Sequence, residues 1–160
     1  MTSRLRHEDL AFLTRAPVQQ VHRGHVSLPA DRVFAGLATR PEAWPAWLSL
    51  ARECHYEGAP PHGVGTIRVM SLPGGIRARE RLLAWDEDER FAYRVEEINV
   101  PGVRAFMEEW ALRPVSDGRT QIQWTLAFDC APPAALLLRA ARNRIDRIFT
   151  EGTRKMATVL

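Results

Sequence analysis

The chain ends in Pro132–Leu160, PPAALLLRAARNRIDRIFTEGTRKMATVL, and this stretch decides how the rest must fold. The two leading prolines suit the first turn of a helix, because proline lacks an N–H and has a preset φ. Apolar residues follow at helical spacing, and the opposite side is rich in arginine. The apolar positions are Leu137, Ala141, Ile145, Ile148, Phe149, Gly152, Met156 and Val159. The pattern predicts one amphipathic helix of roughly 40 Å, which needs a broad apolar surface to lie on.

The preceding residues supply such a surface, because between residues 52 and 128 apolar side chains recur with a period of two. Turn sequences separate these runs at 59–63, 73–75, 86–90, 99–102 and 116–118. An earlier strand at 18–28 is followed by two short helices at 32–39 and 41–50. This order predicts an α+β fold, a curved antiparallel sheet of about six to seven strands wrapped around the C-terminal helix. We expect residues 1–16 to form an N-terminal arm and residues 17–160 a single domain.

Composition excludes several classes of function. The net charge is +3 and 21 of the 22 basic residues are arginine; they are scattered among acids, which favours a GC-rich codon bias over specific nucleic-acid binding. Cys54 and Cys130 stand alone, so neither a zinc site nor a secreted disulfide framework is expected. We expect no metal and no cofactor. No signal peptide or membrane-spanning run is visible, which predicts a soluble cytoplasmic protein.

The inner face of the predicted sheet carries polar groups that need an explanation. A turn centred on Pro101 puts Tyr93 opposite Glu108, and a turn centred on Asp117 puts Trp110 opposite Trp124. Glu108 and Glu80 share their faces with apolar residues, although glutamate is rarely buried alone. Buried carboxylates have raised pKa values and serve as general acids or bases, so Glu108, Glu80 and Tyr93 are the candidate catalytic groups. Alternatively, each carboxylate forms hydrogen bonds with a neighbouring side chain or with water. A further alternative is that the strand register is shifted by one residue, which would turn these carboxylates to the outer face.

The orientation of Arg68 depends on the length of the next turn. A three-residue loop, Pro73-Gly74-Gly75, places Arg68 opposite Glu80 and inside the sheet. A two-residue loop turns Arg68 outward and places Ile67 and Val69 inside, and the apolar character of that pair favours this second arrangement.

Six segments resemble a known family. They are Leu28–Phe34, Pro41–Trp47, Gly63–Thr66, Glu80–Leu82, Arg90–Arg94 and Asp117–Thr125. In these segments the chain resembles the START-like superfamily, also called the Bet v 1-like or SRPBCC superfamily, which has the helix-grip fold. Within it the chain is most similar to the bacterial polyketide cyclase/dehydrase and lipid-transport family. The resemblance extends over about residues 18–160 and implies a deep apolar cavity between the sheet and the long helix.

The candidate ligand contacts follow from this implied cavity. They are Trp47, Arg68, Phe91, Tyr93, Phe106, Glu108, Trp110, Trp124, Phe149 and Gly152. Glycine inside a helix costs about 1 kcal/mol relative to alanine, and a close approach by a ligand or side chain, or a bend of the helix around the cavity, would explain Gly152. On this basis Gly152→Leu is expected to keep the fold but shrink the cavity.

The resemblance leaves three functions open, because this fold serves unrelated activities. The first is binding or carrying a hydrophobic small molecule of the lipid, polyketide, aromatic or isoprenoid type. The second is a cyclase, aromatase or dehydratase activity; family cyclases generally have an arginine in the cavity, and none can be placed there with conviction. The third is interaction with a protein or the ribosome. The expected partner is a hydrophobic small molecule, and the expected oligomeric state is a monomer or homodimer.

Overall fold

A computed structural model describes residues 1–116 and 118–160 of the chain. These residues form eight strands: β1 Ser3–Arg4, β2 Val18–Val26, β3 Glu53–Tyr56, β4 Ile67–Leu72, β5 Ile76–Asp86, β6 Arg90–Ile98, β7 Val103–Ser116 and β8 Arg119–Cys130. The α-helices are α1 Phe12–Arg15, α2 Ala30–Phe34, α3 Trp44–Trp47, α4 Pro132–Ala140 and α5 Arg142–Val159. The turn predicted at 116–118 includes Asp117, which lies outside the described residues.

The strands form one antiparallel sheet in the order β2-β8-β7-β6-β5-β4-β3. Its inner face is built by the predicted alternation: in β8, Ile122, Trp124 and Leu126 are buried in the main core, and Gln121 and Gln123 face outward and are half-buried. The C-terminal helices cover this inner face. The helix-grip fold predicted from the sequence is confirmed, with β1 as an additional strand.

The two short helices after β2 pack against the inner face of the sheet. The first, α2, continues through a wider turn at Ala35–Thr39, and the second, α3, follows a 3-10 turn at Pro41–Ala43. Trp44 and Trp47 are each 1% exposed. Their rings each lie 5.7 Å from the Trp110 ring in an edge-to-face arrangement, the geometry that aromatic pairs prefer.

The C-terminal stretch is two helices, and the prediction of one continuous helix is wrong. Ala141 separates α4 from α5 with a ψ of −4°. Carbonyls in the last turn of a helix lack internal partners, and here the Gln20 side chain of β2 donates to the Leu138 carbonyl at 2.7 Å. A contact from a distant strand therefore stabilises the break. With 18 residues, α5 is still about 27 Å long.

The first 16 residues pack on the sheet. β1 pairs with the end of β6, and the Arg6 N–H donates to the Arg104 carbonyl of β7 at 2.8 Å. β6 and β7 pair only as far as Arg94 and Met107, so the N-terminal residues fill the gap beyond that point. On the outer face, α1 buries its apolar residues in a small cluster of Phe12, Leu13, Ala16, Ala105, Met107 and Ala127.

No helix within the described residues is long and apolar enough to cross a membrane.

Candidate ligand cavity

A cavity of about 270 Å³ lies between the inner face of the sheet and the helices. The sheet contributes apolar wall residues that include Met70, Ala78, Leu126 and Phe128, and the helical side contributes Trp44, Leu48, Leu138 and Ile145. Among residues 1–116 and 118–160, the charged residues on the wall are Glu80 and Glu108, and Tyr93 lies between them in the sheet. Most of these apolar residues were not singled out from the sequence, although alternation in β4, β5 and β8 could have identified the sheet positions.

The cavity mouth is marked by wall residues that are only half-buried: Leu50, Leu72, Phe106, Leu138 and Ile145. Two of them, Leu138 and Ile145, lie on either side of the break at Ala141. The break in the C-terminal helix therefore lies at the mouth of the cavity.

Glu108 accepts hydrogen bonds from one phenol group and one indole group. Tyr93 lies opposite Glu108 in the neighbouring strand, as the turn length predicted, and its hydroxyl donates to Glu108 Oε2 at 2.8 Å. Trp124 Nε1 donates to the same oxygen at 2.8 Å, and Trp110 Nε1 donates to the Tyr93 hydroxyl at 3.3 Å. Neither donor binds Oε1, so this oxygen is the one that can meet a ligand on the cavity side.

The surroundings of Glu108 shift its acidity to the neutral range. Burial is the main cause and nearby Glu80 adds to it, and the hydrogen bonds from Tyr93 and Trp124 only partly oppose them, so the pKa of Glu108 rises to about 7. Burial, followed by the Glu108 charge, raises the pKa of Tyr93 well above its usual value, so this phenol stays protonated. The carboxyl group is thus a potential proton acceptor or donor near neutral pH.

Arg68 lies inside the sheet, which corrects the arrangement favoured by the sequence. The loop is the three-residue turn Pro73–Gly75, and Arg68 is paired with Glu80 across the strands. Glycine at positions 74 and 75 permits φ values of +77° at both residues, which makes this turn possible. Val69 lies opposite Arg79 on the outer face instead.

The buried guanidinium of Arg68 has an unusual environment. Its Nε donates to Glu80 Oε2 at 2.6 Å, and its centre lies 4.0 Å from the Tyr93 ring and 4.4 Å from the Trp44 ring. Within residues 1–116 and 118–160, neither Nη1 nor Nη2 has a hydrogen-bond partner. Burial raises the pKa of Glu80 and the Arg68 charge opposes this effect. Two guanidinium nitrogens of Arg68 therefore lie unpaired in the interior against aromatic rings, behind the wall formed by Glu80 and Tyr93.

The other predicted contacts divide into wall residues and residues behind the wall. Phe106 and Trp124 line the cavity, together with Tyr93 and Glu108. The following six predicted contacts do not line it: Trp47, Arg68, Phe91, Trp110, Phe149 and Gly152. The aromatic residues of this group form a second layer, in which Trp110 stacks on Trp124 at 4.9 Å and Phe91 lies 5.4 Å from Tyr93.

Gly152 faces Trp47 rather than the cavity. A Cβ atom at this position would lie 3.4 Å from Trp47 Cε3 and 3.5 Å from the Trp47 carbonyl oxygen. The close approach inferred from the glycine does occur, but it is made by α3. Neither Gly152 nor Trp47 lines the cavity, and their assignment as direct ligand contacts stays a prediction.

A polar cluster beside the cavity was missed at the sequence level. His22 is 1% exposed, and its Nδ1 lies 2.9 Å from Asp146 Oδ1 while its Nε2 lies 3.3 Å from Gln20 Oε1. Its ring lies 5.8 Å from that of Trp124. Alternation in β2 was the available signal, because Gln20 and His22 are two residues apart on the inner face. The cluster connects β2 to the beginning of α5. Among the described residues, no group of three or more histidine, cysteine or acidic side chains is placed to hold a metal ion.

Comparison with known proteins identifies the family. The family model described as polyketide cyclase/dehydrase and lipid transport matches residues 18–160. An uncharacterised protein of Mycobacterium tuberculosis is 30% identical over 149 residues, which span 91% of this chain and 88% of that protein.

Solved structures share the fold. An aromatase/cyclase from Streptomyces sp. R1128 has a TM-score of 0.71 at 19% identity, with 88% of this chain and 93% of that chain covered. The ginseng major latex-like protein 151 has a TM-score of 0.62 at 14% identity, with 84% and 97% covered. At such identities the structural likeness shows the fold alone, and the match of the family model adds the family. The chain belongs to the polyketide cyclase/dehydrase and lipid transport family, with a Bet v 1-like helix-grip fold.

Proposed function

We propose that the protein binds and carries a compact hydrophobic molecule that presents an oxygen to Glu108. The observation that carries this proposal is a largely apolar wall with an uncommitted carboxylate oxygen on it. Ligand sites usually combine an apolar lining with a few polar groups that fix orientation. A volume of about 270 Å³ is just below the usual range of ligand pockets, about 300–1,000 Å³, which favours a small aromatic or isoprenoid molecule over a long-chain lipid.

Native mass spectrometry of the gently purified protein tests this proposal. We expect a bound small molecule, and we expect Leu126→Phe to reduce its occupancy because Leu126 lies on the wall. Leu112→Phe is the matched control, since Leu112 is buried in the same core but is not part of the wall. Equal loss of ligand from both variants, or retention by both, would contradict the assignment of the cavity.

An acid–base activity is the second candidate, and the raised pKa of Glu108, about 7, favours it. The Glu108 carboxylate would take a proton from a carbon beside a ligand carbonyl, and the electrons of that C–H bond would form the enolate. The protonated carboxyl group would then return the proton to carbon or oxygen.

Hydrogen–deuterium exchange at the carbon beside the carbonyl of 1-tetralone, followed by NMR, tests this activity. We expect the protein to accelerate exchange, with a rate that rises through about pH 7 as Glu108 loses its proton. Glu108→Gln should remove the acceleration and leave the fold intact. Acceleration that persists in Glu108→Gln would assign the chemistry to another group.

The third function expected from the sequence, interaction with a protein or the ribosome, stays a prediction that co-sedimentation with ribosomes tests. The cytoplasmic location, the absence of specific nucleic-acid binding and the monomeric or homodimeric state are also predictions.

A further inference from the structure

Helix α4 exposes two large apolar side chains beside the cavity mouth. Leu136 is 67% exposed and Leu137 is 71% exposed. The next residue, Leu138, lies on the cavity wall. Only Ala135 of this nine-residue helix is buried, so α4 is weakly anchored to the core. Adjacent exposed leucines are unfavourable in water, and they indicate a surface that contacts something apolar.

The residues around these leucines carry the excess positive charge of the chain. Residues 132–148 contain Arg139, Arg142, Arg144 and Arg147 against one acid, Asp146, which gives +3 (4 − 1). The whole chain also has a net charge of +3 (22 − 19), so the remaining residues are neutral overall. The excess charge is therefore concentrated in α4 and the first turns of α5.

These four arginines have no acidic partner, unlike several arginines of the sheet. All four are exposed, and none forms an ion pair with any described residue. In contrast, five arginines of the sheet each pair with a glutamate: Arg68, Arg79, Arg81, Arg90 and Arg94. Three of these guanidinium groups each donate one long hydrogen bond, of 3.4 to 3.5 Å, to a backbone carbonyl. Their remaining N–H groups are available to external anions.

We propose that α4 and the first turns of α5 dock on an anionic lipid surface. Leu136 and Leu137 enter the acyl boundary, and the four arginines contact lipid phosphates. This inference rests on the proposed carrier function, because it places the cavity mouth at the membrane, where a hydrophobic ligand would enter or leave. Nucleic acid would match the arginines but would leave the leucines in water. A second copy of the same face would bring like charges together.

Flotation of the full chain with phosphatidylcholine vesicles, prepared with or without phosphatidylglycerol, tests the docking surface. We expect binding to the anionic vesicles to exceed binding to the neutral vesicles by about tenfold or more, and to weaken as salt screens the arginines. Leu136→Ser/Leu137→Ser should reduce vesicle binding strongly. Arg139→Gln/Arg142→Gln/Arg144→Gln should remove most of the preference for anionic vesicles.

Matched controls separate this surface from general charge and hydrophobicity. Val64→Ser changes an exposed apolar residue elsewhere that is 66% exposed, and Arg40→Gln/Arg77→Gln/Arg113→Gln removes the same charge from other exposed sites. Neither control should alter vesicle binding. Equal losses in the controls, no binding to anionic vesicles, or a dimer that the leucine variant dissociates would overturn the proposal. Binding of 2-naphthol in solution is measured for the wild type and for every variant. If the protein binds 2-naphthol but does not bind anionic vesicles, the docking surface is refuted and the carrier function is not.

Discussion

Glu108 is a buried carboxyl group whose protonation is coupled to folding. Its pKa is about 7 in the folded chain, against 4.5 for a free glutamate. For an acid with a raised folded pKa, the stabilising contribution is fully present below about pH 4.5 and is lost as the pH rises through about 7. The low-dielectric surroundings that make Glu108 useful as a proton acceptor therefore destabilise the fold at high pH.

Glu108→Gln should change the pH dependence of stability. Glutamine stays neutral, so the unfolding free energy of the wild type minus that of Glu108→Gln should fall by about 3 kcal/mol between pH 4.5 and 8. Urea unfolding at several pH values measures this difference. A flat difference would contradict the raised pKa.

Glu96→Gln provides a comparison with the opposite sign. Burial opposes ionisation of Glu96, but hydrogen bonds from Arg81 and Arg94 outweigh it and hold the pKa of this carboxyl at about 2. Its stabilising contribution is present above about pH 4.5 and is lost as the pH falls towards 2. The difference in unfolding free energy between the wild type and Glu96→Gln should therefore rise with pH between about 2 and 4.5. The corresponding difference for Glu108→Gln should fall with pH between about 4.5 and 7.

The buried pair of Arg68 and Glu80 makes a second prediction for single residues. Arg68→Met leaves the Glu80 carboxylate buried without its partner, which should cost about 3–5 kcal/mol of unfolding free energy. Arg68→Met/Glu80→Met removes both charges and should recover most of the loss. Arg79→Met, which breaks the surface pairs with Glu57 and Glu97, should cost less than about 1 kcal/mol. Equal destabilisation of the single and double Arg68 variants, measured in urea, would exclude an unpaired charge as the cause.

The position of Glu108 was predictable from the sequence, whereas that of Arg68 was not. Short turns and clear alternation fix the register around Tyr93 and Glu108, so their contact followed from counting residues. A two-residue loop and a three-residue loop would place Arg68 on opposite faces of the sheet. The hydropathy of Ile67 and Val69 favoured the two-residue loop, whereas the structure has the three-residue loop. The donation from Trp124 to Glu108 was also unforeseen, because it joins residues that are not direct cross-strand partners.

At the level of elements, the C-terminal helix shows which features depend on tertiary contacts. Its existence and apolar face were predictable from spacing. The break at Ala141 was not, because the local sequence has no glycine or proline there and the stabilising contact comes from Gln20.

Gly152 in α5 gives a prediction that distinguishes packing from ligand contact. Gly152→Ala places its Cβ at an ordinary contact distance from Trp47, so the helix should gain up to about 1 kcal/mol. Gly152→Leu should collide with Trp47 and destabilise the fold. Ala157→Gly, at an exposed position of the same helix, measures the propensity effect alone. Thermal unfolding measures whether stability falls from Gly152→Ala to the wild type to Gly152→Leu. A Gly152→Leu variant of normal stability with a smaller cavity would instead support Gly152 as a ligand contact.

At the level of the whole molecule, the N-terminal residues are part of the folded unit, a role that the sequence did not reveal. A two-residue strand has no periodicity to detect, and only the separation of β6 from β7 creates the gap that it fills. Leu5, 5% exposed, anchors this segment. Leu5→Ala should therefore cost about 2–5 kcal/mol in urea unfolding, whereas Val64→Ala, at an exposed site, should cost little. No loss in Leu5→Ala would indicate a detached arm.

The central claim is that the molecule is organised around a cavity that takes an oxygen-bearing hydrophobic ligand at Glu108. Its most direct test is a titration of the full chain with 2-naphthol, followed through the indole N–H signals in ¹H–¹⁵N NMR spectra. Trp124 lies on the wall and donates its indole N–H to Glu108, whereas Trp85 lies outside the wall against Phe34 and Phe91. We predict a saturable shift of the Trp124 signal with the Trp85 signal unchanged. A Trp124 signal that stays in place at saturating 2-naphthol, or a shift confined to Trp85, would contradict the account.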